Sequence, residues 1–223
     1  MRHVIPLIAI FLISTCSVVS QNTIEGLHRP RNYHIKVNQF QGYPDSKEDV
    51  IFLGNSITAG TNWNELLGLE NARNRGISGD TTFGILERLD EVTEGKPSKI
   101  FILIGINDIA RNYPDEVIIN NYEKIISRIK KESPETEIFI QSILPVNNTF
   151  TRYKNHYNKD KHILAINREL KRLSKTYDAN FIDIHQYFLD EDDRLDRKFT
   201  EEGLHLNALA YKTWAEILDP YLH

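Results

Sequence analysis

The run at 99–105, KIFILIG, restricts the fold more than any other feature of the chain. After Lys99 it has neither a charge nor a polar/apolar alternation, so a strand built from it must be covered on both faces. Other strand-like runs stand at 50–54, 71–75, 137–144 and 180–184. Helical patterns separate them, at 82–92, 115–131, 161–177 and 207–218. Val117, Ile118, Ile125, Ile126 and Ile129 form one apolar stripe; Ile163, Leu164, Ile166, Leu170 and Leu173 form another, and both read as core faces. Strands alternating with helices predict an α/β fold: a three-layer α/β/α sandwich around a five-stranded parallel sheet. Ahead of it, Tyr33, Val37 and Phe40 recur at helical spacing, and Gly42, Pro44 and Asp45 then turn the chain.

The first twenty residues differ in kind. Arg2 and His3 precede an apolar run over 4–13, and the small residues Ser14, Thr15, Ser17 and Ser20 follow. That order describes a secretory signal peptide cut before Gln21 and predicts a periplasmic or extracellular protein with no stable membrane insertion after cleavage. One rival is a membrane anchor, for which the run is short. Another is a lipoprotein lipidated on Cys16, for which Thr15 fits the signal poorly. Cys16 is the single cysteine, so a chain cut after Ser20 has no disulfide, thiolate nucleophile or thiolate metal site. The expected organisation is a signal peptide at 1–20, an N-terminal extension at 21–48 packed on the main domain, and the main domain at 49–223. Hydrophobic residues make up 40% of the chain, charged ones 26%, and the net charge is −4. This is a soluble globular composition without the basic footprint of a nucleic-acid binder or a polybasic membrane patch.

In parallel sheets, chemistry collects beyond the carboxyl ends of the strands. The first strand runs into Gly54-Asn55-Ser56-Ile57-Thr58, where the Ser56 hydroxyl can face the crevice or cap a helix. The second runs into Arg75-Gly76-Ile77-Ser78-Gly79-Asp80. Gly79 there lets the backbone approach a ligand, or is a turn glycine before a helix capped by Asp80 or Thr81. The third ends in Gly105-Ile106-Asn107-Asp108, and the Asn107 amide can donate to developing negative charge or close an Asx-turn. Before the last helix comes Glu201-Glu202-Gly203-Leu204-His205-Leu206-Asn207, a histidine with a carboxylate three residues earlier. A lone histidine is usually structural, but a general base needs such a carboxylate to fix its tautomer.

Each block is ambiguous alone; the four together, in this order, are specific. GNSIT at 54–58, GISGD at 76–80, GIND at 105–108 and EGLHLN at 202–207 resemble the blocks of the SGNH hydrolases, the GDSL esterase/lipase superfamily. The likeness runs from about Val50 to the C-terminus. The segment 62–65 and the phrase 73–82 are most similar to the branch of carbohydrate acetylesterases and platelet-activating-factor-acetylhydrolase-like enzymes. The resemblance implies a flavodoxin-like fold and a serine esterase without cofactor or metal. It makes Ser56 the nucleophile and His205 the base, and puts the N–H groups of Ser56 and Gly79 and the Asn107 amide in the oxyanion hole. The family usually has aspartate where this chain has Glu202. Glu202 is expected to hold the His205 ring, with a backbone carbonyl, Asp183, Asp190 or Asp193 as the alternative.

Export and the lack of a long apolar lid point to a short acyl group, in first place acetyl, on a small-molecule or glycan ester such as sialic acid or polysaccharide. A lysophospholipase or acyl-thioesterase on the same triad is the alternative, and a non-catalytic glycan-binding module is the reading from another class. The insertion 146–160, with His156 inside it and His162 just beyond, reads as a loop over the crevice that either touches substrate or is solvated. Trp63 reads as core. Oligomeric state is left open.

Overall fold

The computed structural model describes residues 29–222; the expected signal peptide and Cys16 lie outside them. Five parallel strands form one sheet: β1 (Val50–Gly54), β2 (Ala72–Gly76), β3 (Lys99–Leu103), β4 (Glu137–Gln141) and β5 (Asn180–Ile182). Their spatial order is β2-β1-β3-β4-β5. The chain therefore winds outward in both directions from the pair β1 and β3, and the crevice that opens between their carboxyl ends is the switch point where such sheets bind ligands.

The helices are α1 (Tyr33–Gln41), α2 (Ser56–Ala59), α3 (Trp63–Leu67), α4 (Thr82–Glu87), α5 (Asp90–Thr93), α6 (Ile106–Ala110), α7 (Asp115–Glu132), α8 (Asp160–Thr176) and α9 (Ala208–Leu218). Helix α7 packs between α4 and α8, while α3 packs on α9, so helices form a layer on each side of the sheet. Both faces of β3 are then dry, and Ile100, Phe101 and Ile102 are fully buried, as the charge-free run requires. Under α3 and α9, Phe52, Phe101 and Phe139 stand opposite one another in register on β1, β3 and β4. Their rings stack at 5.1 and 4.4 Å, and Trp63 extends the stack at 4.0 Å. Trp63 is fully buried with its Nε1 donating to Thr58 O, so it belongs to the core.

Several boundaries differ from the sequence reading. The pattern at 82–92 is two helices, broken at Arg88 and Leu89. No helical pattern is expected at the short helices α2, α3 and α6; each is five residues or fewer, too short to show a period. Leu164 belongs to no core stripe, since it is 54% exposed on the outer side of α8. Helix α1 packs Tyr33 and Phe40 against Ile77, and the Tyr33 hydroxyl donates to Gly84 O at 2.6 Å.

The break after Glu87 has a cause. Arg88 turns inward and is fully buried. Its Nη2 donates to Gly54 O at 3.3 Å and Arg75 O at 2.8 Å, the ends of β1 and β2. Its Nε meets Asp80 at 3.0 Å and its Nη1 meets Glu91 at 2.7 Å; Glu91 also binds Arg75 at 3.1 Å. A charge group this dry is tolerable only because every member is paired and hydrogen-bonded. Nearby, the buried Asp108 of α6 accepts from Thr82 N at 3.1 Å and Thr82 Oγ1 at 2.6 Å, which pins the start of α4 to α6. Burial raises the Asp108 carboxyl to about 7, against the bonds from Thr82 that oppose it.

Two predictions follow from these buried charges. Glu91→Ala takes the carboxylate partner from the buried Arg75 and one of two from the buried Arg88, and should cost roughly 3–5 kcal/mol, a fall in Tm of roughly 10 °C or more. Arg172→Ala, which removes a surface pair with Glu169, should leave Tm unchanged; equal effects from both would contradict the hub. Asp108 has a folded value of about 7 above an unfolded value of 3.8, so its contribution is full below pH 3.8 and lost as pH rises through 7. Asp108→Asn removes that loss. The Tm of the variant minus that of the native protein should therefore climb between about pH 4 and pH 7, and a flat difference would contradict the assignment.

Candidate active site

Ser56 is the first residue of α2, directly beyond β1, and the N-cap of that helix is Asn55, whose side chain accepts from Ile57 N at 2.9 Å. The serine hydroxyl is thereby free of a capping duty. Its Oγ lies 3.0 Å from His205 Nε2. His205 comes from the turn before α9, whose N-cap is Asn207. Within that turn, Thr200 Oγ1 donates to His205 O at 2.7 Å and accepts from Gly203 N at 2.9 Å. Gly203 has φ +84°, and a Cβ there would stand 2.5 Å from Asn147 O, so glycine alone lets the 146–160 insertion cross the turn this closely.

Glu202 Oε1 lies 3.0 Å from His205 Nδ1 and also accepts the His205 backbone N–H. A carboxylate only accepts, so Nδ1 carries the proton and Nε2 is left with a lone pair facing Ser56 Oγ–H. The three side chains thus form one relay of hydrogen bonds. The other acids weighed for this place bond elsewhere: Asp183 accepts from Ser142 Oγ and Asp190 from the backbone of Asp192 and Arg194. Asp193 occupies a left-handed turn position between the paired residues Leu189 and Leu195.

Gly79 sits in a turn closed by Asp80 N donating to Ile77 O at 3.0 Å, with φ +80°. A type II turn needs a positive φ at this third position, which favours glycine. Thr81 rather than Asp80 caps α4, and Asp80 points inward to Arg88. Pro30, just before α1, packs against Gly79: a Cβ there would meet its ring at 3.3 Å. Asn107 is the second residue of α6, buried, and its Nδ2 donates to Asp80 O at 2.9 Å. Asn107 is therefore tied to the Gly79 turn and closes no Asx-turn, and one of its two amide protons is left for other use.

The insertion 146–160 lies against this site. His156 Nε2 is 3.1 Å from Asn107 Oδ1, the Tyr153 ring stands edge-on to His205 at 5.1 Å, and Tyr157 Oη donates to Glu202 O at 2.6 Å. Burial, with the nearby His205 and Arg111, lowers the pKa of His156. Its partner in the sequence reading, His162, pairs instead with Asp115 on the surface. Beside the site, an apolar cavity edged by Ile57, Ile106, Ile143 and Leu204 has a volume of about 10 Å3.

Comparison with known proteins agrees with this architecture. The model of the GDSL-like Lipase/Acylhydrolase family matches residues 52–213. The platelet-activating factor acetylhydrolase IB subunit alpha2 of Gallus gallus is 26% identical over 75% of this chain and 72% of its own. An arylesterase of Vibrio mimicus is 34% identical over 46% of this chain and 58% of its own. A solved Streptococcus pneumonia protein described in terms of platelet activating factor superposes with a TM-score of 0.77 at 30% identity, covering 86% of this chain and 92% of that one. An acetyl xylan esterase shares the fold, at a TM-score of 0.66, 18% identity and coverage of 78% and 100%. Since the family match begins inside β1 and ends inside α9, enclosing the sheet and both ends of the relay, the chain belongs to the GDSL-like lipase/acylhydrolase family and is an ester hydrolase.

Proposed function

We propose that this enzyme removes short acyl groups, in first place acetyl, from carbohydrate esters through a Ser56–His205–Glu202 triad, and that it acts after export. The observation that carries the reading is the relay of two 3.0 Å contacts from Ser56 Oγ through His205 to Glu202 Oε1. In the first step His205 Nε2 takes the Ser56 proton while Oγ bonds to the ester carbonyl carbon. The carbonyl oxygen becomes an oxyanion, received by the N–H groups of Ser56 and Gly79 and the free amide proton of Asn107. The tetrahedral species collapses as Nε2–H protonates the leaving alcohol oxygen. Water then attacks the acyl-serine with His205 again as base, releasing the acid and restoring the serine. Glu202 keeps the Nδ1 proton in place and balances the imidazolium that forms at each stage.

A short acyl group is favoured by the branch resemblance and by the acetylhydrolase named among the relatives. A carbohydrate leaving group rests on the branch resemblance and the N-terminal export signal. The names of the relatives favour a second reading, in which the acetyl group is taken from a phospholipid-like alcohol. Both readings share the acyl group and differ in the alcohol.

A nitrophenyl ester series from acetate to decanoate, run beside acetylated sugars and a 2-acetyl phospholipid, separates these cases. The proposal expects kcat/KM to fall steeply beyond about butyrate and sugar acetates to be turned over faster than the phospholipid. Rising rates with chain length would replace it with a lysophospholipase-like activity. Ser56→Ala should lose roughly three orders of magnitude or more, and Asn107→Ala roughly a hundred- to a thousandfold. Glu202→Ala should lower kcat and alter its pH profile; if it did neither, the triad would reduce to a dyad.

A further inference from the structure

A carboxamide is a useful oxyanion donor only if it is held with its nitrogen toward the reacting carbonyl. Asp80 O accepts one amide proton of Asn107 at 2.9 Å and leaves the oxygen of the same group for a second partner. That oxygen meets His156 Nε2 at 3.1 Å. Oδ1 only accepts, so Nε2 is the protonated nitrogen of His156. A half-turn of the carboxamide would set Oδ1 against the Asp80 carbonyl and Nδ2 against the His156 N–H, so both partners select the same orientation.

His156 is itself held. Its backbone N donates to Tyr153 O at 2.8 Å, Tyr153 N donates to Tyr157 Oη at 3.2 Å, and that hydroxyl donates to Glu202 O at 2.6 Å. The Tyr153 ring lies edge-on to both His156 and His205, at 5.8 and 5.1 Å. One short segment thus touches the proposed base, the proposed triad acid and the proposed oxyanion donor.

We propose that His156 is a positioning residue of the oxyanion hole, donating Nε2–H to Asn107 so that the free amide proton faces the substrate carbonyl. The inference rests on the assignment of Asn107 above. Because the role is preorganisation, its loss acts on kcat and leaves KM nearly unchanged.

The test is a double-mutant cycle on nitrophenyl acetate hydrolysis. His156→Ala should lower kcat about tenfold or more with KM within about twofold. His156→Gln, which can still donate, should recover most of that loss, and His156→Glu, which cannot at neutral pH, should not. In an Asn107→Ala background His156→Ala should have no further effect. An equal loss in both backgrounds, or a change confined to KM, would overturn the role. If the alanine variant does not fold, the glutamine and glutamate variants carry the comparison. The Asn107 side-chain amide signals in 15N–1H NMR give a readout independent of turnover: they should shift in His156→Glu and stay in place in His156→Gln. Unmoved signals in both would overturn this inference alone, whereas a native enzyme inert toward every ester would overturn the proposed function and with it the ground of this inference.

Discussion

The buried guanidinium of Arg88 is the interaction on which the rest of the site depends. It joins the carbonyls that end β1 and β2 to the carboxylate of Asp80. Ser56 follows one of those ends and Gly79 the other. Asp80 then hands the constraint on, because its backbone oxygen holds the Asn107 amide. Four bonds from one side chain therefore tie the end of β1 to the stretch 75–91 that closes β2 and carries Gly79, and Asp80 extends the tie to Asn107. The same group breaks the helix that carries it, and Glu91 and Arg75 complete its charge balance in a place water does not reach.

Around this rigid base the proposed catalytic groups stand on elements with different duties. Ser56 and Asn107 lie on the first turns of α2 and α6 at the switch point of the sheet, where strand ends set their positions. His205 and Glu202 lie on one turn organised by Thr200 and entered by the 146–160 insertion. Glutamate serves in this place because Oε1 reaches both the backbone N–H and Nδ1 of His205. The departure from the usual aspartate changes the length of the acid and leaves its position beside the base intact.

Much of this was legible in the sequence, for stated reasons. Apolar runs located β1, β3, β4 and β5, because a strand covered on both faces is apolar over most of its length; β2, with the sequence ARNRG, reads only weakly as a strand. The blocks at the strand ends located Ser56, Gly79 and Asn107, because parallel sheets gather function there. Other features had no local signature. Arg88 lies in a helical pattern where a charge reads as solvent-facing, and its burial depends on partners from three other segments. Leu164 fits the spacing of a core stripe and still faces outward, since periodicity gives a face but not its width. The contact between His156 and Asn107 spans 49 residues and depends on how an irregular insertion folds back.

The central claim is that Ser56 is a hydroxyl activated by His205 in the folded enzyme, and labelling with a serine-reactive organophosphonate followed by peptide mass spectrometry tests it most directly. The account predicts one phosphonyl adduct per folded chain, on Ser56, formed far more slowly in His205→Ala and absent after denaturation. Folded native protein that stays unlabelled at Ser56, or that is labelled equally fast without His205, would contradict it.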